Sequence, residues 1–257
     1  MRFDGKVVMI SGAASGFGRL AAERFAQEGA RLSLSDIDTD GLAETKAMLG
    51  DAEVLIVRAD VSQEADQKAH ADQTAERFGT IDIALNNAGA GGPMATVADT
   101  TAEEFDRLMA INARGVFLGM KYQIPHMLKA GKGAILNTSS AAGLVGAGML
   151  SAYAASKHAV IGLTRAAADE YARFGIRINA ICPSFAITPL FDDIADQVAQ
   201  GHGVSREDAY KRFTARIPMR RVAEPEEIVQ AMLWIVDDQN SFMTGQAVSI
   251  DGGLTAV

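Results

Sequence analysis

A chain of 257 residues, 48% hydrophobic and 22% charged, is long enough to bury a sizeable core, and it reads as one globular domain rather than a disordered chain. Its 24 basic residues against 32 acidic ones leave a formal charge of -8 with no long Lys/Arg run, which excludes the phosphate-neutralising surface of a nucleic-acid binder. Cys182, the one cysteine, has no partner for an internal disulfide; with no signal-peptide core and no apolar run of bilayer length, the expectation is a cytoplasmic protein with no membrane partner.

Along the chain, short runs rich in Val, Ile and Leu recur: KVVMI (6–10), RLSLS (31–35), EVLIV (53–57), DIAL (82–85), GAILN (133–137), IRINAI (176–181) and AVSI (247–250). Their length and composition predict strands, most of them buried on both faces. Segments of helical period lie between them, such as Leu20, Ala21, Phe25 and Ala26 ahead of the Glu28-Gly29 stop. This alternation predicts an α/β fold, a doubly wound parallel sheet with helices on both faces. Residues 1–257 are read as a single domain. The stretch from Pro189 to about Arg221 is helical in composition but interrupted at Gly201, His202 and Gly203, and is read as an excursion covering the substrate.

The first strand runs into SGAASGFG, residues 11–18, with glycines at 12, 16 and 18. The spacing G-x-x-x-G-x-G differs from the G-x-G-x-x-G fingerprint but meets the same need. Glycine lets the backbone turn tightly beside a pyrophosphate, and a helix N-terminus with unpaired N–H groups meets the charge. Alone, such a loop is as readily a plain strand-to-helix turn. Asp36, closing the second strand about twenty residues on, supplies context: a carboxylate there accepts from both adenosine ribose hydroxyls and repels a 2'-phosphate. Ser15 and Ile37 are uncharged, so NAD(H) is expected over NADP(H) unless Arg19 or Arg31 approaches from elsewhere.

In SAYAASKHAV, residues 151–160, Tyr153 and Lys157 stand at i, i+4 on one helix face. The helix is predicted from about Ala152 to Phe174, with small residues at Ala155, Ala159, Gly162 and Ala166 that would let another helix approach. Packing does not require a phenol and an ammonium at adjacent turns. A nearby cation favours the phenolate, so such a tyrosine can exchange a proton with an alcohol or carbonyl near neutral pH. A half-buried tyrosine beside a solvated lysine is the competing account of so short a motif. Ser139 and Ser140 end a predicted strand, where an open parallel sheet forms the rim of its ligand crevice. The histidines at 70, 126, 158 and 202 show no ligand spacing, so no metal is expected.

Over essentially its whole length the sequence resembles a classical short-chain dehydrogenase/reductase. The matching residues are SGAASGFG at 11–18, ADV at 59–61, NNAG at 86–89, Asn112, NTSS at 137–140, YAASK at 153–157 and the run ending in DGG at 251–253. The resemblance implies a Rossmann-type sheet of seven parallel strands in three α/β/α layers, a nicotinamide dinucleotide, and reversible oxidation of a secondary alcohol to a ketone. By position, it makes Tyr153 the catalytic acid/base and Lys157 the residue that holds the nicotinamide ribose and lowers the tyrosine pKa. Ser140 then bonds the substrate oxygen, with Ser139 the weaker choice, and Asn112 secures a water in a proton relay. Asn112 also interrupts an apolar face of Phe105, Leu108, Met109 and Val116, where a buried amide satisfied by backbone would serve packing alone.

The implied cofactor contacts are Gly12, Ser15, Gly16, Phe17 and Gly18 in the first loop, Asp36 and Ile37 after the second strand, and Asp60 and Val61 at the adenine edge. Asn87, Ala88 and Gly89 fall beside the nicotinamide ribose with Tyr153 and Lys157, and Pro183, Ala186 and Thr188 near the carboxamide. Two positions depart from the family pattern. Phe17 stands where isoleucine is common, and Ser184 follows Pro183 where glycine is usual, which puts the geometry of that loop in question. For the substrate, the rim offers Gly91, Met94, Leu144, Val145, Leu150, Phe185, Leu190 and Phe191 around Ser140 and Tyr153. This set is apolar, with no well-placed arginine, and predicts a hydrophobic cyclic or aromatic alcohol or ketone. A homotetramer is implied through the helices carrying Asn112 and Tyr153, with a dimer as the alternative. The rival functions are a dinucleotide-binding regulator that has lost turnover and an NADP(H)-preferring carbonyl reductase.

Overall fold

Apolar runs too short for helices bury themselves by pairing edge to edge, and in a computed structural model describing residues 1–256 all seven predicted runs do so. The strands are β1 (Val7–Ser11), β2 (Arg31–Asp36), β3 (Val54–Arg58), β4 (Ile83–Asn86), β5 (Gly133–Thr138), β6 (Ile176–Pro183) and β7 (Ala247–Ile250). They form one sheet in the order β3-β2-β1-β4-β5-β6-β7, every pairing parallel. Each lies within a residue or two of its expected place. The largest difference is β6, which continues through Cys182 to Pro183 because β7 pairs with it as far as Pro183↔Ile250. Edge strands β3 and β7 are only partly buried, whereas the others are covered on both faces. The side chains of Leu190 and His202, and Val257 at the end of the LTAV tail, lie outside the described residues.

The helices are α1 (Gly16–Gln27), α2 (Thr39–Met48), α3 (Glu64–Phe78), α4 (Ala102–Leu108), α5 (Gly115–Ala130), α6 (Ser151–Tyr171), α7 (Pro189–His202), α8 (Arg206–Arg216) and α9 (Pro225–Val236). The two-residue period of each strand divides the core. Val8, Ile10, Leu32 and Leu34 pack with α1, α2 and α9, and Met9, Ala84, Ile135 and Ile178 face α3, α5 and α6. Fully burying a side chain such as Phe25 contributes about 1.5–3 kcal/mol. No helix among the described residues is long and apolar enough to cross a membrane.

Between β1 and β4 the strand order reverses direction, and ligands of open parallel sheets bind in the crevice beyond the strand C-termini at such a point. Two details of the helices bear on that crevice. Met109–Arg114, between α4 and α5, is π-helical, and the apolar face expected around Asn112 is only partly buried: Leu108 and Val116 are buried while Phe105 is exposed. On α6 the small residues Ala155, Gly162 and Ala166 face solvent, and a Cβ at Gly162 would meet nothing within 4 Å. That stripe has no partner within the described chain.

Candidate active site

The turn after β1 is shaped by what its glycines must avoid. Gly12 has φ of 70°, and a Cβ there would lie 2.8 Å from the Ala88 Cα. Gly16 has φ of 51° with open space above it. At the start of α1, Ser15 is the N-cap but makes no side-chain cap bond, and no acidic residue occupies the first turn. The N-terminal N–H groups are therefore open to an anion. Gly18 serves differently: a Cβ there would sit 2.0 Å from the Gly12 carbonyl oxygen, so it permits helix–strand packing and does not line the cleft.

A cavity of 600 Å³ runs from this turn along the strand ends. Gly12, Ser15, Gly16, Phe17, Asp36, Ile37, Asp60, Val61, Asn87, Ala88, Gly89 and Thr188 line it, as expected. Asp36 accepts from the Ala14 and Asp38 backbone N–H groups, each at 3.1 Å, which ties the end of β2 to the glycine turn. The two arginines that could have favoured a 2'-phosphate are committed elsewhere. Arg19 donates to Thr45 Oγ1, the carbonyls of Ala14 and Gly41, and Glu44, and Arg31 donates to the Gly5 carbonyl. Unread from sequence were the cavity residues Ser62, Ala90, Arg107, Ala110 and Ile111, which carry no motif of their own.

A second cavity, of 230 Å³, shares Phe17, Asn87, Gly89, Ala90 and Thr188 with the first. Ser140, Tyr153 and Lys157 stand on its wall with Met94, Val145, Leu150, Pro183, Phe185, Ala186 and Phe191. Gly91 and Leu144 do not line it. The Gly91 carbonyl is held by Arg107 at 2.8 Å, and the tight 3-10 turn Ala141–Gly143 carries Leu144 past the wall. Helices α7 and α8 supply residues the sequence reading missed: Ile194, Phe213 and Arg216. Phe185, Phe191 and Phe213 form one aromatic cluster with centroids 4.7–5.4 Å apart. The expected absence of an arginine from this pocket is thus corrected. Arg216 follows Phe213 by three residues, on the same helix face.

Lys157 is 4% exposed. Its Nζ donates to the Thr138 carbonyl at 2.9 Å and lies 5.6 Å from the Tyr153 ring centroid. Burial pushes its ammonium down to about 8. Burial also raises the Tyr153 hydroxyl above the usual phenol value, with a hydrogen bond from Ser140 as the opposing influence. The expected lowering by Lys157 is therefore absent here, because desolvation dominates and the ammonium lies over the ring. The adjacent serines divide in role. Ser139 Oγ donates to the Lys157 carbonyl at 2.8 Å and anchors α6, while Ser140 Oγ faces the cavity and accepts from the Ala142 N–H at 3.1 Å.

Asn112 is fully buried in the π-helical segment. Its Oδ1 accepts from Ala90 N at 2.8 Å, and its Nδ2 donates to the Ala90 carbonyl at 2.9 Å and Ser156 Oγ at 3.0 Å. The amide is satisfied by backbone and by α6, and a π-bulge leaves the local i→i−4 ladder broken at a point facing the site. Ser184 is absent from the residues with positive φ, so the loop after β6 does not need the family's glycine. Cys182 is buried and its thiol is pushed up to about 11 by desolvation, which makes it inert.

A family model described as Enoyl-(Acyl carrier protein) reductase matches residues 12–255. The chain belongs to the classical short-chain dehydrogenase/reductase family. Levodione reductase of Leifsonia aquatica is 43% identical over 259 residues, covering 99% of this chain and 96% of that protein. The 2,5-dichloro-2,5-cyclohexadiene-1,4-diol dehydrogenase of Sphingobium indicum is 39% identical over 256 residues, covering 99% and 98%. The crystal structure of levodione reductase superposes with a TM-score of 0.96 over 100% of both chains, at 43% identity. That of an NAD+-bound xylitol dehydrogenase gives 0.94 at 32% identity, covering 98% of this chain and 100% of that one. As a short-chain dehydrogenase/reductase, the chain is an alcohol dehydrogenase/ketone reductase that uses a nicotinamide dinucleotide. The open N-terminus of α1, the room above Gly16 and the Asp36 carboxylate fit that group.

Proposed function

We propose that this enzyme uses NAD(H) to interconvert a hydrophobic, cyclic or aromatic secondary alcohol and its ketone. The observation that carries the reading is the meeting of the two cavities: the apolar chamber, with Ser140, Tyr153 and Lys157 on its wall, shares Phe17, Asn87, Gly89, Ala90 and Thr188 with the glycine-lined cleft. Asp36, with Arg19 and Arg31 engaged elsewhere, supports NAD(H) over NADP(H). A relative named for a ring diol supports a cyclic substrate.

The bound dinucleotide would accept or supply the hydride, and Gly12, Ser15, Gly16, Asp36, Asp60 and Asn87 would hold it. Ser140 and Tyr153 grip the substrate oxygen, and the Tyr153 hydroxyl takes up the alcohol proton or returns it to the carbonyl. Lys157 orients the nicotinamide ribose, and its charge favours the phenolate once the cleft is filled. Asn112 holds the strand end at Ala90 and, through Ser156, the start of α6, and its segment secures a water for proton exchange with solvent. Much of the rate gain comes from positioning and from support of developing oxyanion character. Helices α7 and α8 cover the substrate as part of a single domain. The exposed small-residue face of α6 packs on other copies in a homotetramer, and the buried free thiol suits a cytoplasmic setting.

Fluorescence titration with NADH and NADPH, followed by assays of wild type and Tyr153→Phe on hydrophobic secondary alcohols, tests this. Expected are tighter NADH binding and turnover that depends on Tyr153. Tighter NADPH binding would refute the role given to Asp36, and NADH binding without turnover of any alcohol or ketone would refute the catalytic reading.

A further inference from the structure

The chamber is apolar over most of its wall, yet it holds two cations and no acid among its described lining residues, Lys157 and Arg216. In a chain of net charge -8 this sign is not a consequence of composition. Lys157 is already bound to the Thr138 carbonyl. Arg216 has no ion-pair or hydrogen-bond partner among the described residues, unlike Arg206 on the same helix, which pairs with Asp192 at 2.6 Å. It is exposed as well as cavity-lining, so it stands at the mouth, while Tyr153 and Ser140 mark the reacting end. Phe213, one turn earlier, is held in the aromatic cluster and fixes which face of α8 turns inward.

Resting on the alcohol/ketone reading above, we propose that Arg216 is a specificity residue that binds a carboxylate carried on the substrate's end remote from the reacting carbon. A guanidinium presents paired N–H donors in the geometry of a carboxylate, and at the edge of this chamber no described acid occupies them. The favoured substrate is then an apolar ring with a carbinol or ketone at one end and an acid at the other, entering reacting end first.

The test compares 4-oxocyclohexanecarboxylate with 4-methylcyclohexanone, each with NADH. Wild type is expected to prefer the acid about tenfold in kcat/KM, the scale of one partly screened hydrogen bond to a charged group. In Arg216→Gln the ratio falls to about one, with the change carried by KM. Arg216→Lys, which keeps the charge at the end of α8 but loses the fork, retains part of the preference. Arg212→Gln removes the same charge from the same helix at an exposed position outside the cavity and keeps the wild-type ratio. Turnover of both ketones with no preference for the acid, or a preference that survives Arg216→Gln, overturns the role of Arg216 alone. Turnover of neither ketone, with NADH binding intact, overturns this proposal together with the reading it rests on.

Discussion

The cleft at the glycine turn and the chamber beneath α7 and α8 share a wall but are built from different material. The cleft consists largely of backbone, held by close approaches that exclude side chains: Gly12 against Ala88, Gly18 against Gly12, and Asn87 donating to the carbonyls of Ser11 and Gly12. The chamber is made of side chains, and its outer part comes from two helices joined by an aromatic cluster and by Asp192 contacts to Arg206 and Tyr210. Backbone geometry restricts one region to one shape. The other can change its ligand through a single side chain without disturbing the sheet.

The strongest break between the two is Tyr153→Phe. Removing the acid/base hydroxyl should lower turnover by about 10²–10⁴ while NADH affinity, read by fluorescence, changes little, since the phenol ring and Lys157 remain. Loss of NADH binding on the same scale would mean that the two regions are not separable at this wall.

Next in size is an acid effect on the scaffold under both regions. His70 is buried on α3, bonded through Nε2 to Ser33 Oγ at 3.0 Å, with Nδ1 lacking a partner among the described residues, and burial pushes it down to about 4 from an ordinary 6.5. The unfolded chain binds this proton below pH 6.5 and the folded one only below about 4. Stability from the neutral imidazole is therefore complete above pH 6.5 and drains away as pH falls toward 4, by about 3 kcal/mol. Urea unfolding of wild type and His70→Leu across that window should give a pH slope in the first that is missing in the second.

Within the cleft, Gly18→Ala forces a carbon toward the Gly12 carbonyl and should cost about 1–3 kcal/mol of stability with weaker NADH binding. Gly16→Ala meets open space and pays only the left-handed strain, about 1 kcal/mol. Equal effects in thermal melts would show that the close approach is not what shapes the turn. The smallest change belongs to the chamber. Phe213→Ala should alter KM for a ring ketone about fivefold, roughly 1 kcal/mol of lost contact, with the NADH dissociation constant unaltered.

The difference between the regions also governs how far each was legible. Strand positions, the glycine turn, Asp36 and the Tyr153–Lys157 spacing are local or near-local signals, so they could be read before any packing was known. Ser139 and Ser140 could be told apart only weakly, because the turn that sends one hydroxyl to the Lys157 carbonyl and the other to the cavity depends on where α6 docks. Leu144 and Gly91 were assigned to the pocket from their place after a strand, and missed because a single 3-10 turn and one Arg107 contact redirect the chain. Phe213 and Arg216 lie far from any motif. Their helix is polar enough that no stripe in it identifies an inward face.

By itself the sequence determined the order of strands and helices, the sheet's parallel character and the one-turn spacing of Tyr153 and Lys157, since hydrophobic period, glycine conformation and helical spacing act over a few residues. Only tertiary structure decided the protonation balance and the chamber's charge. Desolvation raises Tyr153 and lowers Lys157 through atoms distant in the chain, and the rotation of α8 that brings Arg216 to the mouth is set by Phe185 and Phe191 packing on Phe213.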